Sequence, residues 1–413
     1  MLSNGLLLIT EQLPHVHSVC LGLAFRIGSR DDPKDLVGLC HLNEHMVFKG
    51  TDRLSARDIS YAAESLGAEL NAFTDKETTC FYGRFPSDQQ VPVTELLCDI
   101  VARPAFNQLE LEKEKGVIAE EIRSADEDPD SKTFNLTFQA FYQNHPMGWP
   151  ISGTLDSLAR AEPEFLRRVY AERYHVGTGL AVAVGEVRTD ELAQCIERTL
   201  GHWPRFAPPV RTRPVPAPAG EMVETRRDLS QVYICLAVPA FPFADLRRHA
   251  LAIFNTAFGG GLSSRLFQRL RETEGLVYSV SSFAELFEDS GFIGVYFVAE
   301  ASKLTRCLEV ITDELERLRR HRFGSDEIER ALIMTRSSIL LALESPTSRM
   351  LRLARSQQLL GQVQPLDEAL ACLDRVKHAE INDLADQLFS APGFCVGAVG
   401  PIEPVELRRL LPR

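Results

Sequence analysis

The stretch Gly38-Leu39-Cys40-His41-Leu42-Asn43-Glu44-His45-Met46-Val47-Phe48-Lys49-Gly50-Thr51 decides how this 413-residue chain is read. It contains His41-x-x-Glu44-His45, the reverse order of the commoner H-E-x-x-H metal pair. Residues four apart on a helix lie on one face, so His41 and His45 can present two imidazoles to a single ion. Glu44 projects beside them, placed to act as general base toward an attacking water. The bland alternative is two surface histidines on an amphipathic helix. With only ten His in the chain, a chance copy of the pattern is rare.

A catalytic zinc site takes three protein ligands and keeps a fourth position open. Candidates for the third lie in Leu109-Glu110-Leu111-Glu112-Lys113-Glu114-Lys115-Gly116-Val117-Ile118-Ala119-Glu120-Glu121-Ile122. Leu111, Val117, Ile118 and Ile122 fall at helical spacing, with carboxylates between them. Glu114 and Glu121 are two helical turns apart and can point the same way. Spacing does not choose among these carboxylates, and a Glu-rich helix is ordinarily a solvated face.

Taken together, these stretches resemble the pitrilysin/insulinase metallopeptidase family, most of all the mitochondrial processing peptidase β-subunit and its short bacterial relatives. The resemblance implies that Glu121, 76 residues after His45, completes a zinc site of one ion per chain. It further implies an assisting catalytic role for Glu114, seven residues earlier. In Arg265-Leu266-Phe267-Gln268-Arg269-Leu270-Arg271-Glu272-Thr273-Glu274-Gly275-Leu276-Val277-Tyr278-Ser279, Arg271 and Tyr278 match the family's pair that holds substrate and transition state. Asn71 and Ala72 match an exposed sheet edge to which a substrate peptide adds as a strand, through side-chain-independent backbone bonds. The chain departs from the pattern at Asn43, where the family is usually apolar. Such a residue alters the packing behind the site or adds a hydrogen bond there.

Composition bounds the remaining classes. The length exceeds one ordinary core, so two or more domains are expected. Hydrophobic content of 45% and charged content of 25% are those of a soluble globular protein. A net charge of −12 argues against nucleic-acid binding and suits a cationic peptide, although acidity also serves solubility alone. Nine Cys, an odd number without a C-x-x-C pair, indicate reduced thiols. With neither a signal peptide nor a bilayer-spanning segment in view, a cytoplasmic protein without a membrane role is expected.

In chain order, strands are expected at 5–10 and 19–27, a helix at 55–66 capped by Ser55 and stopped by Gly67, and a hairpin over 69–83. Helices follow at 91–102, 108–124, 133–142 and 162–174, then a strand at 179–187 and a helix at 189–200. Six prolines between Pro204 and Pro218 read as an extended linker. Beyond it the pattern repeats: 232–238 resembles the strand before the metal helix, and 393–402 echoes 181–187. The repeat lacks H-x-x-E-H, so it should carry no metal. Its Phe258-Gly259-Gly260-Gly261-Leu262-Ser263-Ser264 completes no phosphate-loop pattern and reads as a structural or peptide-contacting loop.

The expectation is an α+β protein of two homologous α/β sandwich halves with the processing-peptidase-like metallohydrolase fold. A zinc-binding catalytic half spans 1–203, the Pro-rich linker 204–220 and a metal-free half 221–413, with helices on one side of each sheet. The function expected is a zinc-dependent endopeptidase, working in a closed chamber as a homodimer or with a related metal-free subunit. The alternatives are a non-catalytic scaffold or partner subunit and, more distantly, a metal-dependent amidohydrolase.

Overall fold

The computed structural model describes residues 1–217, 219–389 and 393–411. It contains two five-stranded sheets of the same design. The first orders its strands β1-β5-β2-β4-β3 and the second β6-β10-β7-β9-β8. In the first, β1 (Leu7–Gln12) runs parallel to β5 (Gly179–Gly185), and β2 (Ser18–Phe25), β4 (Thr79–Pro86) and β3 (Glu69–Thr74) continue antiparallel. In the second, β6 (Gly220–Thr225) runs parallel to β10 (Cys395–Gly400), followed by β7 (Gln231–Pro239), β9 (Gly291–Glu300) and β8 (Val277–Leu286). The repeat read from the sequence is therefore a repeat of topology.

Strand alternation sends each sheet's side chains into two cores. On β2, Val19, Leu21, Leu23 and Phe25 enter the larger one. There they meet Leu39, Leu42 and Met46 of α1 (Leu39–Val47) and Leu111, Ile118 and Ile122 of α2 (Gln108–Glu127). Cys20 and Ala24 face the opposite way, into a smaller core with Cys80 and Val182. The second sheet alternates likewise. Val232, Ile234, Leu236 and Val238 meet Leu251, Phe254 and Phe258, while Cys235 and Ala237 face the other side.

The smaller cores correct the expectation of helices on one side only. A single helix covers the second face of each sheet, and the two helices exchange places in the sequence. Pro129–Tyr142 (α3) lies before the linker, yet packs Phe134, Phe138 and Phe141 on the second sheet. Pro346–Leu360 (α4) lies after it, yet packs Met350, Leu353 and Ala354 on the first. The compact units are consequently discontinuous: 1–123, 149–212 and 342–363 form one, and 124–148, 213–341 and 364–411 the other. A glycine marks the close approach of α3. A Cβ at Gly397 on β10 would lie 2.5 Å from the Thr137 backbone nitrogen.

α3 starts at Pro129, not at 133, because Asp128 accepts a 2.9 Å hydrogen bond from the Ser131 N–H and Pro129 opens the first turn. Between Leu200 and Gly220 the described residues form neither helix nor strand, as expected for the Pro-rich stretch. The side chain of Arg211 at its centre is buried in the first unit, donating to Asp31 (2.7 and 3.0 Å) and to the Glu77 carbonyl (2.8 Å). Arg30 pairs with Glu77 beside it and donates to the Thr212 carbonyl at 3.0 Å. No described helix is long and apolar enough to cross a membrane.

Candidate metal centre

The first unit builds the site by aiming α1 and α2 at one another. The N-cap of α1 is Gly38, whose φ of +93° is open to glycine and strained for other residues. A Cβ there would also lie 2.6 Å from the Gly153 Cα. The buried Asp32 carboxylate caps this helix start, accepting from the Gly38 N–H at 2.7 Å and the Cys40 N–H at 2.9 Å. An anion here opposes the positive end of the helix dipole. Burial nonetheless pushes its pKa up to about 6, with the hydrogen bonds from Cys40 and Gly38 pulling the other way.

One turn on, the His41 and His45 rings stand 4.7 Å apart between centroids. Glu121, in the C-terminal half of α2, reaches both: its Oε2 lies 3.8 Å from His41 Nε2 and 3.6 Å from His45 Nε2. One ligand atom from each of these three residues lies within 4.8 Å of the other two. Two imidazoles and one carboxylate form a donor set that suits zinc with an open position, whereas calcium and magnesium prefer oxygen alone. Burial, and then His45, depress the His41 pKa to about 4. His41 is therefore neutral at pH 7, the state in which imidazole ligates.

Glu44 lies on the same turn. Its Oε2 accepts a 2.6 Å hydrogen bond from the Thr74 hydroxyl at the end of β3. Burial raises its pKa, an effect that outweighs the Thr74 bond and the nearby His45. A carboxylate made more basic by burial and fixed in direction is suited to general-base work. Glu114 is buried and approaches the His45 ring from the edge opposite Glu121, with Oε2 3.1 Å from Nδ1. Its other oxygen lies 2.7 Å from Lys49 Nζ. Two turns of α2 thus bracket one imidazole.

The remaining expected residues fall elsewhere. Asn71 and Ala72 lie on β3, the edge of the first sheet, where the Asn71 side-chain oxygen accepts from the Ala72 N–H at 2.8 Å. Arg271 and Tyr278 belong to the second unit. Arg271 sits in a π-helical turn, Phe267–Thr273, with its guanidinium 5.2 Å from the Tyr278 ring centroid. Tyr278 occupies an irregularity between Val277 and Ser279 of β8 and is 78% exposed. Asn43 is buried on the core side of α1, and its amide nitrogen and oxygen meet no partner among the described residues. The hydrogen bond that the sequence allowed behind the site is therefore not made among the described residues.

Sequence reasoning missed Asp32, Lys49 and Thr74. Lys49 alone carried a local signal, lying four residues after His45.

Residues 7–155 match the family described as Insulinase (Peptidase family M16), and residues 160–334 match the Peptidase M16 inactive domain. An uncharacterized zinc protease of Bacillus subtilis is 33% identical over 387 residues, covering 94% of each chain. One from Streptomyces coelicolor is 33% identical over 419 residues, covering 99% of this chain and 90% of its own. Among solved structures, a protease from Helicobacter pylori superposes with a TM-score of 0.87 at 19% identity, over 96% of this chain and 97% of the other. A chain of complex III2 from Candida albicans gives 0.88 at 20% identity, over 99% and 97%. At these identities the two structures speak for the fold alone.

Proposed function

We propose that this chain, which belongs to the insulinase peptidase family (M16), is a zinc-dependent endopeptidase that cleaves peptides or unstructured segments. The observation that carries the reading is the convergence of His41, His45 and Glu121 within 4.8 Å, with Glu44 held beside them by Thr74. Relatives named zinc proteases support both the metal and the reaction class.

His41, His45 and Glu121 would hold one zinc ion per chain. A zinc ion supplies Lewis acidity, polarising the scissile carbonyl and acidifying water. Glu44 accepts the proton of the attacking water and passes it to the leaving amine. Glu114 holds the His45 ring. The free edge of β3 at Asn71 and Ala72 takes the peptide as an added strand. Arg271 and Tyr278 keep the substrate- and oxyanion-holding roles implied by the family resemblance, supported here by their pairing on an exposed part of the second unit.

Peptides carrying basic residues fit the net charge of −12. A closed chamber, formed as a homodimer or with a related metal-free subunit, belongs to the same reading. The alternative of a non-catalytic partner subunit has against it the intact set of His41, Glu44, His45 and Glu121. Digestion of a basic peptide of roughly 20 residues, with products located by mass spectrometry, tests the proposal. Internal cuts that stop on chelation and return with zinc support it. Zinc-loaded protein that leaves every peptide whole favours the partner-subunit alternative.

A further inference from the structure

The two imidazoles of the site are held differently. The Nδ1 of His41 is buried and meets no hydrogen-bond partner among the described residues. The Nδ1 of His45 faces Glu114 Oε2 at 3.1 Å. Glu114 is itself 4% exposed, too enclosed for bulk water to set its direction. What fixes it is Lys49, whose Nζ lies 2.7 Å from the second carboxylate oxygen. Lys49 follows the C-cap Phe48 of α1, and its side chain is 30% exposed. The chain Lys49–Glu114–His45 therefore enters from partial solvent exposure and ends on a ring nitrogen.

We infer that Lys49 is a positioning residue of the metal centre. Its ammonium clamps the Glu114 carboxylate so that Oε2 accepts a hydrogen bond from His45 Nδ1–H, leaving Nε2 as the nitrogen aimed at Glu121. The partner on one ring nitrogen sets which nitrogen is free to ligate. His41 lacks such a partner, so the clamp on His45 is the one that pre-orients the site. This inference rests on the zinc-peptidase reading for its purpose, but not for its test.

A purely structural role for Lys49 is the competing account: a cation past the C-terminal end of α1 also complements the helix dipole. Lys49→Arg keeps that charge and can still reach a carboxylate, whereas Lys49→Met keeps only the apolar stem. The first readout is the histidine tautomer in the metal-free protein, by nitrogen-15 NMR at neutral pH. Wild type and Lys49→Arg are expected to hold His45 as the Nδ1–H form, and Lys49→Met to show a mixture. The second is zinc affinity by chelator competition, where Lys49→Met should bind roughly ten- to a hundredfold more weakly. Adding it to Glu114→Gln should cost little more, because the two act in one chain.

An unchanged tautomer in a folded Lys49→Met protein overturns the inference, as does a zinc loss fully additive with that of Glu114→Gln. Wild type that binds no zinc but shows the Lys49-dependent tautomer overturns the peptidase reading and leaves the clamp standing.

Discussion

The Thr74 hydroxyl donates to Glu44 Oε2 at 2.6 Å, joining the last residue of the edge strand to the proposed general base. Thr74→Val should therefore retain zinc while lowering kcat about tenfold, the worth of one orienting hydrogen bond of ~1.4 kcal/mol. Thr74→Ser should stay within about threefold of wild type. Steady-state kinetics with zinc content measured checks both. A fall in KM-dependent binding alone would mean that Thr74 serves the peptide and not the base.

Asp32 holds the start of α1 through two backbone N–H groups. Asp32→Ala removes both acceptors from a buried helix end and should cost about 2 kcal/mol. Zinc affinity should fall with it, since α1 carries both histidines. Urea unfolding of the metal-free protein and a zinc titration measure the two effects separately.

Opposite pH dependences meet on this helix. His41 titrates near 4 in the folded chain against 6.5 as its ordinary value. Between those values the unfolded chain binds more protons, so the His41 contribution is complete above 6.5 and is lost as pH falls through 4. Asp32 is raised from 3.8 to about 6, so its contribution is complete below 3.8 and is lost as pH rises through 6. The stability difference between wild type and His41→Asn should climb with pH, and that between wild type and Asp32→Asn should fall. Denaturant titrations from pH 4 to pH 7, about the span of the two shifts, read both slopes.

The Arg211–Asp31 pair is buried, with side chains 4% and 6% exposed. Arg211→Met leaves Asp31 as an uncompensated buried charge and should destabilise the protein by about 3–5 kcal/mol. Arg211→Met with Asp31→Leu should be milder than Arg211→Met alone, because no charge is stranded. Chemical denaturation of the three proteins tests this ordering.

How much was legible in the sequence depended on the range over which each feature is determined. The i, i+4 spacing of His41 and His45 is local to one helix, and so is the Ser55 cap, where Ser55 Oγ accepts from the Asp58 N–H at 3.2 Å. The stop at Gly67 is local as well, with φ at +63°. Thr74 and Asp32 reach the site from other elements, and nothing in their own neighbourhood marks them. The exchange of α3 and α4 was hidden for a related reason. Helical periodicity shows that Met350, Leu353 and Ala354 share an apolar stripe, but not which sheet lies beneath it. Choosing among the carboxylates of α2 likewise needed three dimensions or the family resemblance. Glu114 and Glu121 share a helix face, and in the structure they differ in meeting opposite nitrogens of the His45 ring, Nδ1 and Nε2 respectively.

The central claim is that one zinc ion held by His41, His45 and Glu121 works with Glu44 as base. The most direct measurement is peptide cleavage by wild type and Glu44→Gln, each with its zinc content determined on the same sample. The account predicts about one zinc per chain in both proteins, internal cleavage by wild type, and at least a hundredfold loss in Glu44→Gln. Equal cleavage by the two zinc-loaded proteins would contradict it, and so would the absence of zinc from both.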